Sequence, residues 1–160
     1  MSQSERSAEI AALYQEMILD HYRRPRNKGE LPDATTEVTM LNPLCGDEIK
    51  LDVIFDGDRV SDLRFSGRGC SISQASASMM TQLVKGKSSE EIESLGDRFR
   101  DMVMGNAGAA EDKSLGSLRA FSGVARFPAR VRCALLAWNA METALGENEN
   151  GNIENQRSEG

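Results

Sequence analysis

Between Thr36 and Ser66 the chain reads as three short strand-like runs, Thr36 to Leu41, Glu48 to Phe55 and Arg59 to Ser66, and this pattern constrains the fold more than any other feature. The middle run alternates cleanly through Ile49, Leu51, Val53 and Phe55, and a period of two puts those side chains on one face. Asp56-Gly57 between the second and third runs tolerates the positive φ that a tight hairpin demands. The reading is a three-stranded antiparallel meander. Its single apolar face must be covered, and the cover available is helical sequence on either side.

From Glu5 to Tyr22 the apolar residues Ile10, Leu13, Tyr14, Met17, Ile18 and Tyr22 recur at three and four, which predicts an amphipathic first helix ending at Arg24, before Pro25. PRNKGELPD then reads as a loop. After Gly69 the helical spacing returns through Ile72, Ala75, Ser76, Met79, Met80 and Leu83 to a stop at Lys85-Gly86. Ser88 with Glu91 has the spacing of a capping box and predicts another helix. Gly96 to Val124 is richer in glycine and charge and is read as short helices joined by turns. Pro128 suits a first helical turn, and Val131, Leu135, Trp138, Met141 and Leu145 form a stripe that predicts a last helix to about Leu145. The fold class is therefore α+β, the meander packed against an N-terminal helix and several C-terminal helices. Residues 1–146 make one domain, and the polar, acidic stretch 147–160 is expected to be a disordered tail.

The 160 residues suffice for one domain with a real core. A net charge of −6 argues against phosphate-backbone binding, so nucleic acid is not an expected partner. No apolar run approaches the roughly 20 residues that cross a bilayer, and the opening MSQSERSAE is no secretion signal. A soluble, cytoplasmic protein without a membrane partner is expected.

The chain has three cysteines and one histidine. In a reducing compartment three cysteines cannot all pair, and ligands or reactive thiols are the stronger reading. His21 is far in sequence from all of them, which weighs against histidine-rich metal sites and histidine-activated nucleophiles. Cys45 lies in the loop NPLCGD, Cys70 at a helix start after GRG, and Cys133 one to two turns into the last helix. All three sit near element ends, where one edge of a meander could gather them. The alternative is three buried core cysteines, which fits Cys45 badly because Pro43, Gly46 and Asp47 make its loop polar and turn-prone.

Three thiolates fill three corners of a tetrahedral site of the kind zinc takes, with a fourth N, O or S donor. Asp47, two residues from Cys45, is the best fourth candidate, against the alternative of a turn-capping aspartate. Such a ligand set is strongly anionic and calls for a nearby cation. Arg130, three positions before Cys133 and so its neighbour on one helical face, is favoured over Arg132, the alternative for either being a solvated surface arginine. Gly67-Arg68-Gly69 lacks the third glycine of a dinucleotide fingerprint and is not set in a βαβ unit. The basic cluster Arg23, Arg24, Arg26 and Lys28 reads as a solvated helix terminus rather than a docking patch.

The segments YQEMILDHYRRPRNKGEL, NPLCGDEIKLDV, FSGRGCSISQASASMM and FPARVRCALLAWNA resemble, in that order, the SufU branch of the IscU/NifU-N family of iron–sulfur cluster assembly proteins. The resemblance covers roughly Leu13 to Ala144. IscU-type members carry a histidine directly before the third cysteine, where this chain has Arg132, and that departure makes it resemble the SufU type. The resemblance implies zinc held by Cys45, Asp47, Cys70 and Cys133, with Arg130 close by. It also implies a SufS-type pyridoxal-phosphate cysteine desulfurase as partner, and the downstream Suf assembly machinery beyond it.

The function so implied is sulfur relay: the chain stimulates the desulfurase and accepts its persulfide sulfur, which leaves open whether it counts as an enzyme or as a sulfurtransferase-like carrier. Cys45, on the most mobile of the three segments, is the expected persulfide acceptor, and Cys133 is the runner-up because the scaffold branch uses its third cysteine so. Two alternatives stand beside this: a scaffold that transiently assembles a [2Fe–2S] cluster on the same ligands, and a structural zinc module that serves only for interaction.

Overall fold

The computed structural model describes residues 14–44, 46–106, 108 and 112–158. The three expected strands are present and slightly longer than their sequence patterns: β1 is Thr36–Asn42, β2 Asp47–Asp56 and β3 Arg59–Arg68. They form one antiparallel sheet in the order β1-β2-β3. On its inward face Val38 pairs with Leu51 and Met40 with Ile49, while Leu51 pairs with Phe65 and Val53 with Leu63. Ile49, Leu51, Val53, Leu63 and Phe65 are fully buried. Because the side-chain period is two, the same face continues to the end of the sheet, where the pair Asn42 and Asp47 puts two polar residues in the last row.

Asp56 pairs with Arg59, so Gly57 and Asp58 form a two-residue loop, with Gly57 at the positive φ of 64° expected of that turn. A bulge between Ile54 and Phe55 then interrupts the alternation, and Phe55 is only partly buried. The loop after Pro25 covers the free edge of β3: Phe65 donates its N–H to the Asn27 carbonyl and accepts from the Gly29 N–H.

The first helix, α1, covers described residues 14–23. Ile10 and Leu13 of its expected stripe lie outside the described residues. Tyr14, Met17 and Ile18 pack against the core, whereas Tyr22 is 45% exposed. Helix α2, Ser71–Val84, is buried almost all round, so its hydroxyls need partners. Ser76 donates to the Ala134 carbonyl at 2.7 Å, and Ser78 Oγ meets both His21 Nδ1 and the Arg26 N–H at 2.8 Å. His21 is thereby a buried structural residue of the α1–α2 contact.

Helix α3, Ser89–Val103, opens on the expected cap, with Ser88 Oγ accepting the Glu91 N–H. It runs through Gly96, where sequence composition suggests a break. The glycine is there for space: a Cβ would lie 3.3 Å from the Trp138 ring, which packs over it and beside Phe99. A 3-10 segment, Lys113–Arg126, follows, broken at Gly116, as expected of this stretch.

Helix α4, Pro128–Ser158, is the spine of the fold, packing on β1, β2 and α2. It buries Cys133, Ala137, Trp138, Ala140, Met141 and Leu145, while Val131 and Leu135 of the expected stripe stay half-buried. The stripe ends at Leu145 but the helix does not: no proline interrupts the chain after it, and the stretch set apart as a tail is helical to Ser158. Among the described residues no helix is long and apolar enough to cross a membrane.

Candidate metal centre

Three segments meet at the polar end of the sheet. Asp47 opens β2 on the inward face, Cys70 caps α2 directly after β3, and Cys133 sits in the second turn of α4. An Asp47 carboxylate oxygen, Cys70 Sγ and Cys133 Sγ all lie within 4.8 Å of one another. Asp47 and Cys133 are buried, and Cys70 is partly open. Cys45, the first expected sulfur ligand and the expected acceptor, lies outside the described residues. Its neighbour Gly46 does not: at φ 69° it donates its N–H to the Asn42 carbonyl at 2.9 Å and so turns the loop back toward β2.

The carboxylate is held in place by backbone. The Cys70 N–H donates to Asp47 Oδ1 at 2.9 Å, and Oδ2 stands 3.9 Å from Cys70 Sγ. This contact needs Gly69, where a Cβ would run into the Asp47 carboxylate and the Ser73 hydroxyl. Gly67 serves the sheet instead, since a Cβ there would strike the Glu48 carbonyl. Among the described residues Asp47 is held not by its own loop but by the start of α2, to which it reaches across.

Some residues around the site have no signal in the sequence pattern. Ser73 Oγ, fully buried, donates to the Cys70 carbonyl at 3.1 Å and lies 3.9 Å from Cys70 Sγ. Gln74 Nε2 donates weakly to Ser73 Oγ at 3.4 Å, and Gln74 Oε1 is buried with no hydrogen-bond partner among the described residues. Asn42 Nδ2 is likewise buried without a hydrogen-bond partner among the described residues. The spacing of Ser73 from Cys70, three residues along a helix, is the one clue that could have found it.

Both candidate arginines are exposed on the first turns of α4. Arg130 lines a groove of about 830 Å³ together with Tyr14, Ile18, Ile72, Val124 and Phe127. Arg132 lines a smaller recess of about 290 Å³ with Leu44, Pro128 and Ala129. The groove includes Ser71 and Ile72, the residues directly after Cys70, but none of Asp47, Cys70 and Cys133 lines it. The basic cluster is partly spent on its own helix: Arg24 and Arg26 both pair with Asp20, at 3.5 and 2.7 Å, and the Arg26 hydrogen bond holds the Asp20 carboxyl below its ordinary value.

A tetrahedral zinc, with bonds of about 2.3 Å to sulfur and 2.0 Å to oxygen, places its donors roughly 3.5 to 3.8 Å apart. The Asp47 to Cys70 separation of 3.9 Å is already close to that, and the whole group needs to close by only about an ångström. Two thiols and a buried carboxylate, with orphaned amide groups beside them, are a donor set that fits a thiophilic divalent ion.

The family model for the NifU-like N-terminal domain matches residues 13–134. The chain belongs to the IscU/NifU-N family of iron–sulfur cluster assembly proteins. Within this family it is 48% identical over 146 residues to the zinc-dependent sulfurtransferase SufU of Bacillus subtilis, a match covering 91% of this chain and 98% of that one. It is 46% identical over 138 residues to the iron–sulfur cluster assembly scaffold protein IscU of Streptococcus pyogenes, covering 86% of each. The IscU/NifU-N fold also matches the crystal structure of the N-terminal part of a NifU-like protein from Brucella abortus, with a TM-score of 0.79 at 23% identity over 86% of this chain and 94% of that one. The α+β meander expected from sequence is therefore the family's fold.

Proposed function

We propose that this chain is a zinc-dependent sulfur acceptor that takes persulfide sulfur from a SufS-type cysteine desulfurase, stimulates it, and passes sulfur to the cytoplasmic Suf assembly machinery. The observation that carries this reading is the convergence of Asp47, Cys70 and Cys133 at one end of the sheet, with the loop bearing Cys45 joined directly to Asp47. The 48% identity to a zinc-dependent sulfurtransferase supports the same assignment.

Cys45, Asp47, Cys70 and Cys133 would hold the zinc, which when bound keeps its sulfur ligands deprotonated at neutral pH. The transfer itself belongs to a cysteine of this chain. The Cys45 thiolate attacks the outer sulfur of the desulfurase persulfide, a new S–S bond forms, and the bond to the desulfurase cysteine breaks with its electron pair leaving on that thiolate. Sulfur changes hands with no net oxidation or reduction. Cys133, the other candidate acceptor, is fully buried, which disfavours attack on a partner's persulfide and supports Cys45. Arg130, three residues before Cys133 and exposed on α4, is the proposed cation close to the anionic centre, its charge offsetting part of the ligands' own.

Cys45→Ser should abolish both persulfide capture and stimulation of the desulfurase; unchanged stimulation removes Cys45 from the role. The scaffold reading draws on the 46% identity to an IscU scaffold and uses the same residues. Metal analysis of aerobically purified protein, paired with a desulfurase assay with and without it, separates the two: zinc with stimulation supports relay, and iron with labile sulfide without stimulation supports a scaffold. A purely structural zinc module would unfold on chelation, whereas a relay protein stays folded and loses transfer.

A further inference from the structure

The proposed centre gathers more negative charge than its ion carries, since three thiolates and a carboxylate against a divalent cation leave about −2. Asp47 and Cys133 are buried, and both nearby arginines are exposed on the surface of α4. Among the described residues, the compensation seen at the buried side of the centre comes from fixed N–H dipoles. One is already in use, the Cys70 N–H on Asp47 Oδ1.

A second is available in the same row of the sheet. Asn42 is 6% exposed, and its Nδ2 has no hydrogen-bond partner among the described residues. It is the cross-strand partner of Asp47. Paired residues of an antiparallel ladder share a face, with Cβ atoms about 4.5 to 5.5 Å apart. Every other inward pair between β1 and β2 contains an apolar residue, from Thr36 with Val53 to Met40 with Ile49. An unsatisfied buried donor is costly and rarely kept without a use, and this one sits beside a carboxylate at the end of an otherwise apolar surface.

We propose that Asn42 is a positioning residue of the metal centre, its carboxamide N–H donating to the Asp47 carboxylate in the metal-loaded protein. With Oδ1 engaged by Cys70 and Asn42, Oδ2, which stands 3.9 Å from Cys70 Sγ, is the one left to face the ion. This rests on the metal reading above, and the tests keep the two apart.

In the wild-type protein, zinc loading moves one Asn42 side-chain amide proton downfield in the ¹⁵N–¹H spectrum and slows its exchange with solvent. Identical Asn42 signals with and without bound zinc overturn the proposal and leave the metal reading standing; failure of the wild-type chain to bind zinc overturns the metal reading itself. Asn42→Leu, close in size but without a donor, leaves the metal-free protein at least as stable as wild type, weakens Co²⁺ binding by about 10- to 100-fold and alters the visible Co²⁺ bands. A less stable metal-free fold with unchanged Co²⁺ affinity and bands overturns the proposal by making Asn42 purely structural. Should Asn42→Leu not fold, Asn42→Ser gives the same reading: altered Co²⁺ bands support it and unaltered bands overturn it.

Discussion

The amide N–H of Cys70 donates to Asp47 Oδ1 at 2.9 Å, tying the first residue of β2 to the cap of α2 through the backbone of one metal-ligand candidate and the side chain of another. Asp47 consequently has two jobs, one in the fold and one toward the ion, and substitutions can separate them. Asp47→Asn keeps an oxygen that can accept from Cys70, so the metal-free protein should unfold at nearly the wild-type denaturant concentration. Asp47→Ala leaves the Cys70 N–H unanswered and should cost about 1–3 kcal/mol by urea denaturation. Both should weaken zinc in a competition titration against a chromophoric chelator, but by less than Cys70→Ser or Cys133→Ser, because three thiolates can hold zinc with an outside fourth donor. Equal zinc loss in Asp47→Ala and Cys70→Ser would show that the carboxylate is no weaker a ligand than the sulfurs.

Gly67 and Gly69 are two residues apart, yet their substitution by alanine should fail in different ways. At Gly69 the added methyl meets the Asp47 carboxylate and the Ser73 hydroxyl, side-chain atoms that can turn aside. Gly69→Ala should therefore fold with a loss of about 1–3 kcal/mol while zinc affinity falls at least tenfold, because the carboxylate is turned away. At Gly67 the methyl meets the Glu48 carbonyl, backbone that cannot move without breaking the β2–β3 register. Gly67→Ala should depress the melting temperature more than Gly69→Ala does; the reverse order would mean that the sheet end is softer than its pairing implies.

Burial holds His21 below its ordinary pKa, the nearby Arg26 charge adding to this and Asp20 opposing it. For a base with a depressed folded value, the unfolded chain takes up its proton first. Stability should thus be constant above about pH 7.5, fall as pH drops through about 6.5, and level off only below the folded value. His21→Gln should flatten that slope in urea midpoints measured across the range. The carboxyls that lie below their ordinary values, Asp20, Asp62 and Asp112, lose their contributions as pH falls below the ordinary value of 3.8, and His21→Gln should leave that acidic part of the profile in place. A wild-type slope that survives in His21→Gln would assign it to another group.

What the sequence makes legible here is set by which residues act alone. Alternation in β2, the Ser88 cap and Pro128 at a helix start are local, and each appears in the structure within a residue or two. The convergence of Asp47, Cys70 and Cys133 could be anticipated because each lies at an element end, and sheet topology brings such ends together. Gly96 misleads because its reason is tertiary: the Trp138 ring fills the space a side chain would take. Tyr22 has helical spacing with the buried stripe but ends up 45% exposed at the last turn of α1. Ser73 could be found only by its spacing of three from Cys70, and Asn42 gains meaning only from its cross-strand neighbour Asp47, which no spacing rule identifies.

The end of α4 invites a truncation. Beyond Leu145 the sequence GENENGNIENQRSEG offers almost no apolar surface to bury, and the bond from Asn148 Nδ2 to the Gly57 carbonyl at 3.0 Å is an exposed one. Exposed hydrogen bonds contribute little, and two glycines, Gly146 and Gly151, lower the helix propensity by about 1 kcal/mol each. Backbone amides after Gly146 should exchange with solvent orders of magnitude faster than those of Ala134 to Met141, which lie in the buried part of the same helix. Removing residues 147–160 should leave the melting temperature within about 2 °C and zinc affinity within about twofold. A larger loss of stability would mean that the distal helix is anchored to the β2–β3 turn more firmly than one side-chain bond to Gly57 can account for.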